Sequence, residues 1–450
     1  MLKKFRKWVK KLTPAQMIVS YYFLAIIVAV SLLSLPIALK PGVEITFIDS
    51  LFVAVSAVSV TGLTTVNISE TYSVAGTFIL MFVFQFGGVG IMALGTFFWL
   101  LIGKRIGLKE RRLIMADQNQ TGLSGMVKML KEILWIIIII EIFGALFLGF
   151  HFLQYYPTWQ EAFLQGLFAS VSATTNAGFD ITGASLLPFA KDYYVQTINI
   201  LLMTTGAIGF PVLMEVKHYI ASRRKYLFRF SLFTKITTVT YFCLLVFGTM
   251  MILLLEVNHF FADKSWHESF FYAFFQSSTT RSGGLATLDL NYFTETTQLV
   301  MSALMFIGAS PSSVGGGIRT TTFALNLLFI YNYGRGNRTV KIFKRELTEE
   351  DITKSLIITI MALLICFTAT VILRITESHS LISILFEVSS AFGTSGASMG
   401  ITSDLSTIGK LVLMILMFIG RVGLFMFLLF IGGKGDYAKI HYPKERVSIG

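Results

Sequence analysis

Cysteine is almost missing from this chain. The two among 450 residues, Cys243 and Cys366, both fall inside apolar runs. That excludes a disulfide framework and a cysteine-based metal site, and leaves both as packing residues. Charge is scarce too: 14% of residues are charged against 54% hydrophobic, with a mean hydropathy of +0.71. A chain this apolar cannot hide its side chains in a water-soluble core, so the composition is that of an integral membrane protein. The six histidines, at 151, 218, 259, 267, 379 and 441, stand mostly at the ends of apolar runs. They show no metal-ligand spacing and no nucleophile–base set converges, which argues against an enzyme. There is no Rossmann fingerprint, and no hydrophilic stretch is long enough for a nucleotide domain. Any control by a nucleotide has to come from another polypeptide.

The net charge of +12 does not point to nucleic acid. Lysine and arginine crowd the N-terminus, the breaks at 104–112, 217–235 and 335–354, and the tail at 434–446, as in a polytopic membrane protein with its basic loops in the cytoplasm. The basic N-terminus and the apolar run at 17–39 superficially resemble a secretory signal. The run is too long for one and lacks a small-residue cleavage site, so it reads as an uncleaved first span.

What is there is a short stretch that occurs four times. An apolar run with small hydroxyl residues ends in a glycine-containing tip: Val60-Thr61-Gly62-Leu63, Asn176-Ala177-Gly178-Phe179, Arg281-Ser282-Gly283-Gly284 and Thr394-Ser395-Gly396-Ala397. Aligned on Gly62, Gly178, Gly283 and Gly396, the intervals are 116, 105 and 113 residues, a period that means four copies of one unit. Each copy reads as a spanning helix, a shorter helix stopping at the tip, a polar exit and a second spanning helix. The first spans are 17–39, 132–155, 233–257 and 355–376; the second are 73–103, 194–220, 298–331 and 407–432. About twenty apolar residues cross a bilayer, whereas runs such as 49–58 and 269–279 can enter but not leave by the far side.

The fold class expected is therefore an all-α integral membrane protein. It would hold four parallel repeats of helix, pore loop and helix in a pseudo-fourfold arrangement, with eight spanning helices and four re-entrant pore helices. The repeats are 1–112, 113–230, 231–345 and 346–450. The loops bearing the tips hold few basic residues, Lys40, Lys191, Lys264 and Arg281. The positive-inside rule then puts both termini in the cytoplasm and has the four tips dip in from outside.

Irregular backbone survives at membrane depth only where it is buried in protein or lines water. Glycine lets successive carbonyls turn inward, rings of carbonyls replace the hydration shell of an alkali cation, and the short helices aim their partly negative C-terminal ends at the same axis. The pattern predicts a cation filter with K+ at Gly62, Gly178, Gly283 and Gly396. With one glycine common to the four tips and no TVGYG pattern, discrimination against Na+ should be less sharp. The alternative reading of such stretches is small-residue helix contact. Arg281 would repel an ion if it faced one, so it is expected behind the filter, toward an acid or carbonyls. Asn176 also stands at a tip without being a natural ligand.

A second glycine element follows about 25 residues further on: Phe86-Gly87-Gly88-Val89-Gly90, Thr205-Gly206-Ala207-Ile208-Gly209 and Ile419-Gly420-Arg421-Val422-Gly423. The third copy is interrupted, reading Gly308-Ala309-Ser310-Pro311-Ser312-Ser313-Val314-Gly315-Gly316-Gly317. This predicts a third span broken at mid-membrane, with a glycine-hinged loop that obstructs the pathway beneath the filter. The duller reading is a static kink, and no P-loop lysine supports phosphate binding. Arg421 at mid-span should face the bundle interior, either as a brake on permeation or as the partner of a buried acid.

At these residues the sequence resembles the membrane subunit of Ktr-type potassium-uptake systems, within the Trk/Ktr/HKT superfamily. The likeness rests on the four tips, the third-repeat loop and Arg421, and it covers essentially the whole chain. It implies K+ uptake stimulated by Na+, no organic cofactor, a homodimer with one pore per protomer in lipid, and a cytosolic ring of nucleotide-binding regulatory subunits. By the same analogy the tail at 434–450 contributes to those contacts, and Glu346, Glu349, Glu350 and Asp351 offer docking surface. The rival reading is a secondary solute symporter that uses the broken third span as its substrate site.

Overall fold

The computed structural model describes residues 13–90, 126–222, 228–337, 339–432 and 445. Four helices are each long and apolar enough to cross a membrane alone: α1 (Pro14–Leu33), α4 (Met126–Phe152), α8 (Leu232–Glu256) and α12 (Glu349–Thr376). The 27 residues of α4 rise about 40 Å. After each comes a shorter helix: α2 (Phe47–Ser59), α5 (Trp159–Thr174), α9 (Trp266–Thr279) and α13 (Leu381–Gly393). An irregular exit then leads to α3 (Val74–Val89), α6 (Tyr193–Ala207), α10 (Glu295–Ile307) and α14 (Thr407–Val422). Beyond a break in the last three cases follow α7 (Phe210–Ala221), α11 (Thr320–Gly334) and α15 (Leu424–Gly432). A small hairpin of β1 (Lys341–Ile342) and β2 (Arg345–Glu346) joins α11 to α12.

Local sequence explains where these helices start. Hydroxyl side chains cap α2, α5 and α13, with Thr46, Thr158 and Ser380 each accepting the backbone N–H three residues on. The caps of the second helices are clasped by the ends of the first, by different chemistry in each unit. Ser73 donates to Ile37 O at 2.6 Å, and His151 lies 2.6 Å from Asp192. Glu256 accepts from the Thr294 backbone and hydroxyl, both at 2.8 Å, and Glu377 accepts from the Ser406 backbone and hydroxyl at 3.1 and 2.5 Å. The two glutamate clasps satisfy the Thr294 and Ser406 N–H groups, which would otherwise be orphaned, and all four contacts tie the start of a second helix to the chain at the end of the first.

The outward faces of the long helices are apolar: Phe23 and Ile27 on α1 are 54% and 62% exposed, and Leu364 and Phe367 on α12 are 60% and 68% exposed. Inside, large apolar side chains such as Phe52, Phe168 and Phe386 pack with the short helices' small and hydroxyl side chains, such as Ser56, Ser172, Ser277 and Ser390. Apolar side chains thus face outward as well as inward, unlike the surface of a water-soluble protein, and buried hydroxyl groups gather along the short helices.

The expectation of a single interrupted second span needs correction. α6 and α7 meet at 104°, and α14 and α15 at 100°. The breaks fall at Gly209 (φ 102°, ψ 134°) and Gly423 (φ 91°, ψ 136°), a backbone region that L side chains avoid and that no helix can pass through. Gly90 has the same conformation (φ 100°, ψ 129°) at the end of α3. The remainder of that first-repeat span, 91–103, lies outside the described residues, as do the N-terminal basic segment and the tail at 434–450 apart from Glu445.

Candidate functional site: a ring of glycines and the loop beneath it

The four tips converge. A Cβ added to Gly62 would stand 2.9 Å from Gly178 Cα, one on Gly178 2.9 Å from Gly284 Cα, and one on Gly284 3.4 Å from Gly396 Cα. One on Gly396 would be 3.1 Å from Gly62 Cα, which closes the circle. Between the glycines lie carbonyls, one from each tip: Ala177 O is 2.5 Å from the Gly62 position, Gly283 O 3.4 Å from Gly178, Ser395 O 2.7 Å from Gly284, and Thr61 O touches Gly396. Only glycine allows backbones to come this close. The ring opens into a cavity of about 440 Å3 lined by the four glycines together with Asp180, Ser398 and Thr402.

The third tip is shifted by one residue from the sequence alignment. Two left-handed residues, two apart, shape every tip: Val60 and Gly62, Asn176 and Gly178, Ser282 and Gly284, Thr394 and Gly396. Gly284 (φ 73°) is therefore the ring glycine, whereas Gly283 is not left-handed and backs onto Met203 and Thr279, contributing only its carbonyl to the ring. Arg281 falls behind the tip, 1% exposed, and its guanidinium donates to Leu304 O. Asn176 also turns away from the ring: with its amide oriented to suit both neighbours, it donates to Ala173 O at 2.8 Å and Met203 O at 3.1 Å.

Side chains of the short helices hold the tips from behind. Ser56 accepts from Gly62 N–H at 3.1 Å, Ser172 donates to Phe179 O at 2.6 Å and Thr279 to Leu285 O at 2.6 Å. In the fourth tip the fully buried Glu387 accepts from Ser398, from Met399 N–H at 3.1 Å and from Thr402 at 3.1 Å. Only the hydroxyl-rich character of these helices was visible in sequence, and Glu387 looks there like any polar residue in an apolar run. Gly87, Gly206 and Gly420 bring the second helices against the last carbonyls of the short ones, Val58 O, Thr174 O and Phe392 O.

Directly beneath lies the loop 308–317. Its neck is closed by Ala309 N–H to Gly316 O (3.2 Å), Arg319 N–H to Ile307 O (2.9 Å) and Thr320 N–H to Ala309 O (3.1 Å). On one side it is stitched into the α6–α7 break by Ser310 N–H to Ala207 O (3.0 Å), Val314 N–H to Gly206 O (3.2 Å) and Phe210 N–H to Ser312 O (2.8 Å). On the other, Gly315 and Gly316 face Ser282 and Thr394. Pro311, Ser312, Ser313 and Gly317 roof a second cavity of about 750 Å3 on the side away from the ring.

Two arginines line that cavity. Arg421, 7% exposed, donates to Val314 O, Gly87 O and Gly88 O, so its partners among the described residues are backbone carbonyls and not a buried acid. Arg319 was not singled out in sequence. It occupies the break position that Gly90, Gly209 and Gly423 hold elsewhere, at φ 82° and ψ 144°, and donates to Gly315 O and, at 3.5 Å, to Ser310 O. Aligning the four breaks would have exposed it as the one non-glycine.

A carbonyl ring at the focus of four helix ends, inside a bundle whose outer surface is hydrocarbon, belongs to a membrane ion transporter and not to an enzyme. The particular family is equally plain: the chain belongs to the TrkH family, described as cation transport proteins, whose profile matches residues 3–434. It is 61% identical to the Ktr system potassium uptake protein D of Bacillus subtilis over 447 residues, 99% of each chain. It is 33% identical to the potassium/sodium uptake protein NtpJ of Enterococcus hirae over 448 residues, 98% of each. The crystal structure of the potassium transporter TrkH from Vibrio parahaemolyticus shares the fold, with a TM-score of 0.68, 20% sequence identity, and 86% of this chain and 78% of that one covered.

Proposed function

We propose that this protein takes up potassium across the plasma membrane through the glycine ring, with the loop at 308–317 as its gate. The observation that carries the reading is the meeting of Gly62, Gly178, Gly284 and Gly396 with four carbonyls between them. Oxygen dipoles from Thr61, Ala177, Gly283 and Ser395, reinforced by the C-terminal ends of α2, α5, α9 and α13, suit a bare monovalent cation. A single such layer supports a preference for K+ that is less than absolute. The named substrates of the Bacillus and Enterococcus relatives, potassium and potassium/sodium, agree with this.

The gate reading is supported by the loop's position between ring and second cavity and by its glycine hinges, Gly308 (φ 71°) and Gly317 (φ 81°). Arg421 and Arg319 hold it by carbonyls and put positive charge on the cation's path. The four units act as parallel repeats with the tips facing outward and both termini in the cytoplasm, in keeping with the basic breaks. The protein functions as a homodimer in lipid under a cytosolic nucleotide-binding regulatory subunit, and Na+ stimulates uptake. The word "system" in the Bacillus relative's name supports the further subunit.

The test is radioactive rubidium uptake into proteoliposomes, competed by K+ or by Na+, with and without Gly284→Ala. Uptake blocked by K+ far better than by Na+ and lost in the variant is the expected result. Equal competition by the two ions, or full uptake by the variant, overturns the filter.

A further inference from the structure

The third tip meets the helix carbonyl that receives the loop's first hinge and the loop's far end. The Arg281 guanidinium donates to Leu304 O, the carbonyl that also accepts the N–H of hinge residue Gly308 at 3.2 Å. The adjacent Ser282 hydroxyl donates to Gly393 O, at the end of α13, at 2.8 Å and accepts the N–H of Gly316 at 3.4 Å. The fit is close: a Cβ on Gly315 would come within 2.5 Å of Ser282 Oγ, and one on Gly316 within 2.6 Å of Thr394 Oγ1. The other tips are built differently. Val60 has no polar group to offer, Asn176 turns toward Ala173 and Met203, and Thr394 Oγ1 has no hydrogen-bond partner among the described residues. Among the described residues, the third tip's side chains make a hydrogen bond to the loop through Ser282 and Gly316.

Charge makes the Arg281 contact more than incidental. Its Nε and Nη1 have no partner among the described residues, so Leu304 O is what secures a guanidinium buried behind the ring. A buried charge with few partners is costly and settles where its remaining hydrogen bond is kept. Between Ser282 and Gly284 lies Gly283, whose carbonyl is the third tip's contribution to the ring.

We propose that Ser282, with Arg281 behind it, is a specificity-determining coupling element: the seated loop holds the Gly283 carbonyl in register, so the loop's position sets which cation the ring accepts as well as whether it passes. This rests on the filter-and-gate reading above. When the loop withdraws, Ser282 loses Gly316, Gly308 N–H leaves Leu304 O to Arg281 alone, and one of four ring oxygens is free to relax. A ring with one loose member discriminates less between K+ and Na+.

The test uses the full chain in phosphatidylethanolamine–phosphatidylglycerol vesicles and reads two quantities: the rubidium uptake rate, and the ratio of Na+ to K+ concentrations that compete equally with it. Ser282→Ala should lower that ratio roughly two- to tenfold, the range one hydrogen bond supplies. Deleting residues 312–313 should produce the same change, and the combined protein no further one. Ser282→Thr keeps the hydroxyl and should keep the ratio, since the fourth tip already carries Thr394 in the left-handed region (φ 46°). Should Ser282→Ala fail to reconstitute, Arg281→Met is read in its place with the same expectation. An unchanged ratio in Ser282→Ala, or additive changes in the combined protein, overturns the coupling. Failure of the underlying reading looks different: deletion of 312–313 would leave the uptake rate untouched, or Gly284→Ala would leave both quantities intact.

Discussion

Lys410 Nζ stands 2.8 Å from a carboxylate oxygen of Asp49, joining the first turn of the fourth unit's second helix to the first turn of the first unit's short helix. The pair closes the circle of units between residues 361 apart in sequence, with side chains 12% and 15% exposed. Burial by itself would raise the Asp49 carboxyl, but hydrogen bonds from Lys410 and Thr46 outweigh it and hold the group below its ordinary 3.8. A depressed folded value means stability that is present above the unfolded value and lost as pH falls through the folded one. Asp49→Asn should cost ~1.5–3 kcal/mol at pH 7, read as a lower Tm in detergent. Its Tm deficit should be constant from pH 5 to 8 and shrink below about pH 4. A deficit that persists at pH 3 would dissociate the effect from this ion pair.

Gly284→Ala and Gly400→Ala separate strain from function. Both glycines are left-handed, at φ 73° and 83°, but an added Cβ meets Gly178 Cα and Ser395 O at 2.7 Å in the first case and open space in the second. Each should lose about 1–3 kcal/mol of stability from backbone strain alone. Rubidium uptake should fall more than about tenfold only in Gly284→Ala, because its Cβ also pushes into the ring, each 1.4 kcal/mol of misfit being tenfold in rate.

Arg421→Ala removes a cation from the proposed pathway and releases Val314 O, Gly87 O and Gly88 O. For an ion about 10 Å away at an effective dielectric of about 20, the lifted repulsion is ~1.7 kcal/mol, roughly an order of magnitude in rate. Uptake should rise by up to that factor. Unchanged uptake in well-folded protein would take Arg421 out of the pathway.

The two bent second spans differ in one testable respect. A Cβ on Gly209 would meet Pro311 O at 2.8 Å, whereas one on Gly423 meets nothing. Gly423→Ala should show only the strain of its left-handed backbone, about 1–3 kcal/mol. Gly209→Ala should in addition unseat the loop and raise basal uptake. Equal uptake in the two variants would mean that the loop does not depend on the α6–α7 break.

Much of this architecture was readable in advance because it is governed by hydropathy and backbone freedom, both local properties. Long apolar runs become long helices wherever they occur, and a glycine after a short hydroxyl-rich run marks a backbone that must leave the helix. The near-constant spacing of such tips already implied four like units. Register was not readable: Gly283 and Gly284 are chemically identical, and only the left-handed pair Ser282 and Gly284 shows which one enters the ring. Arg319 carries no signal of its own in sequence, because its importance lies in occupying a position that is glycine in the other units.

By itself the sequence determined that the chain is a membrane protein, that irregular backbone belongs to four glycine tips and an interrupted third-unit helix, and that Arg281 and Arg421 need partners inside the bundle; the breaks at Gly209 and Gly423 appeared only in the structure. Partners were decided only in three dimensions. Lys410 finds Asp49, Arg421 finds three carbonyls of two other units, and Ser282 finds both Gly393 and Gly316. A side chain's chemistry states what it must be given, but which distant backbone supplies it depends on how the helices pack around the common ring.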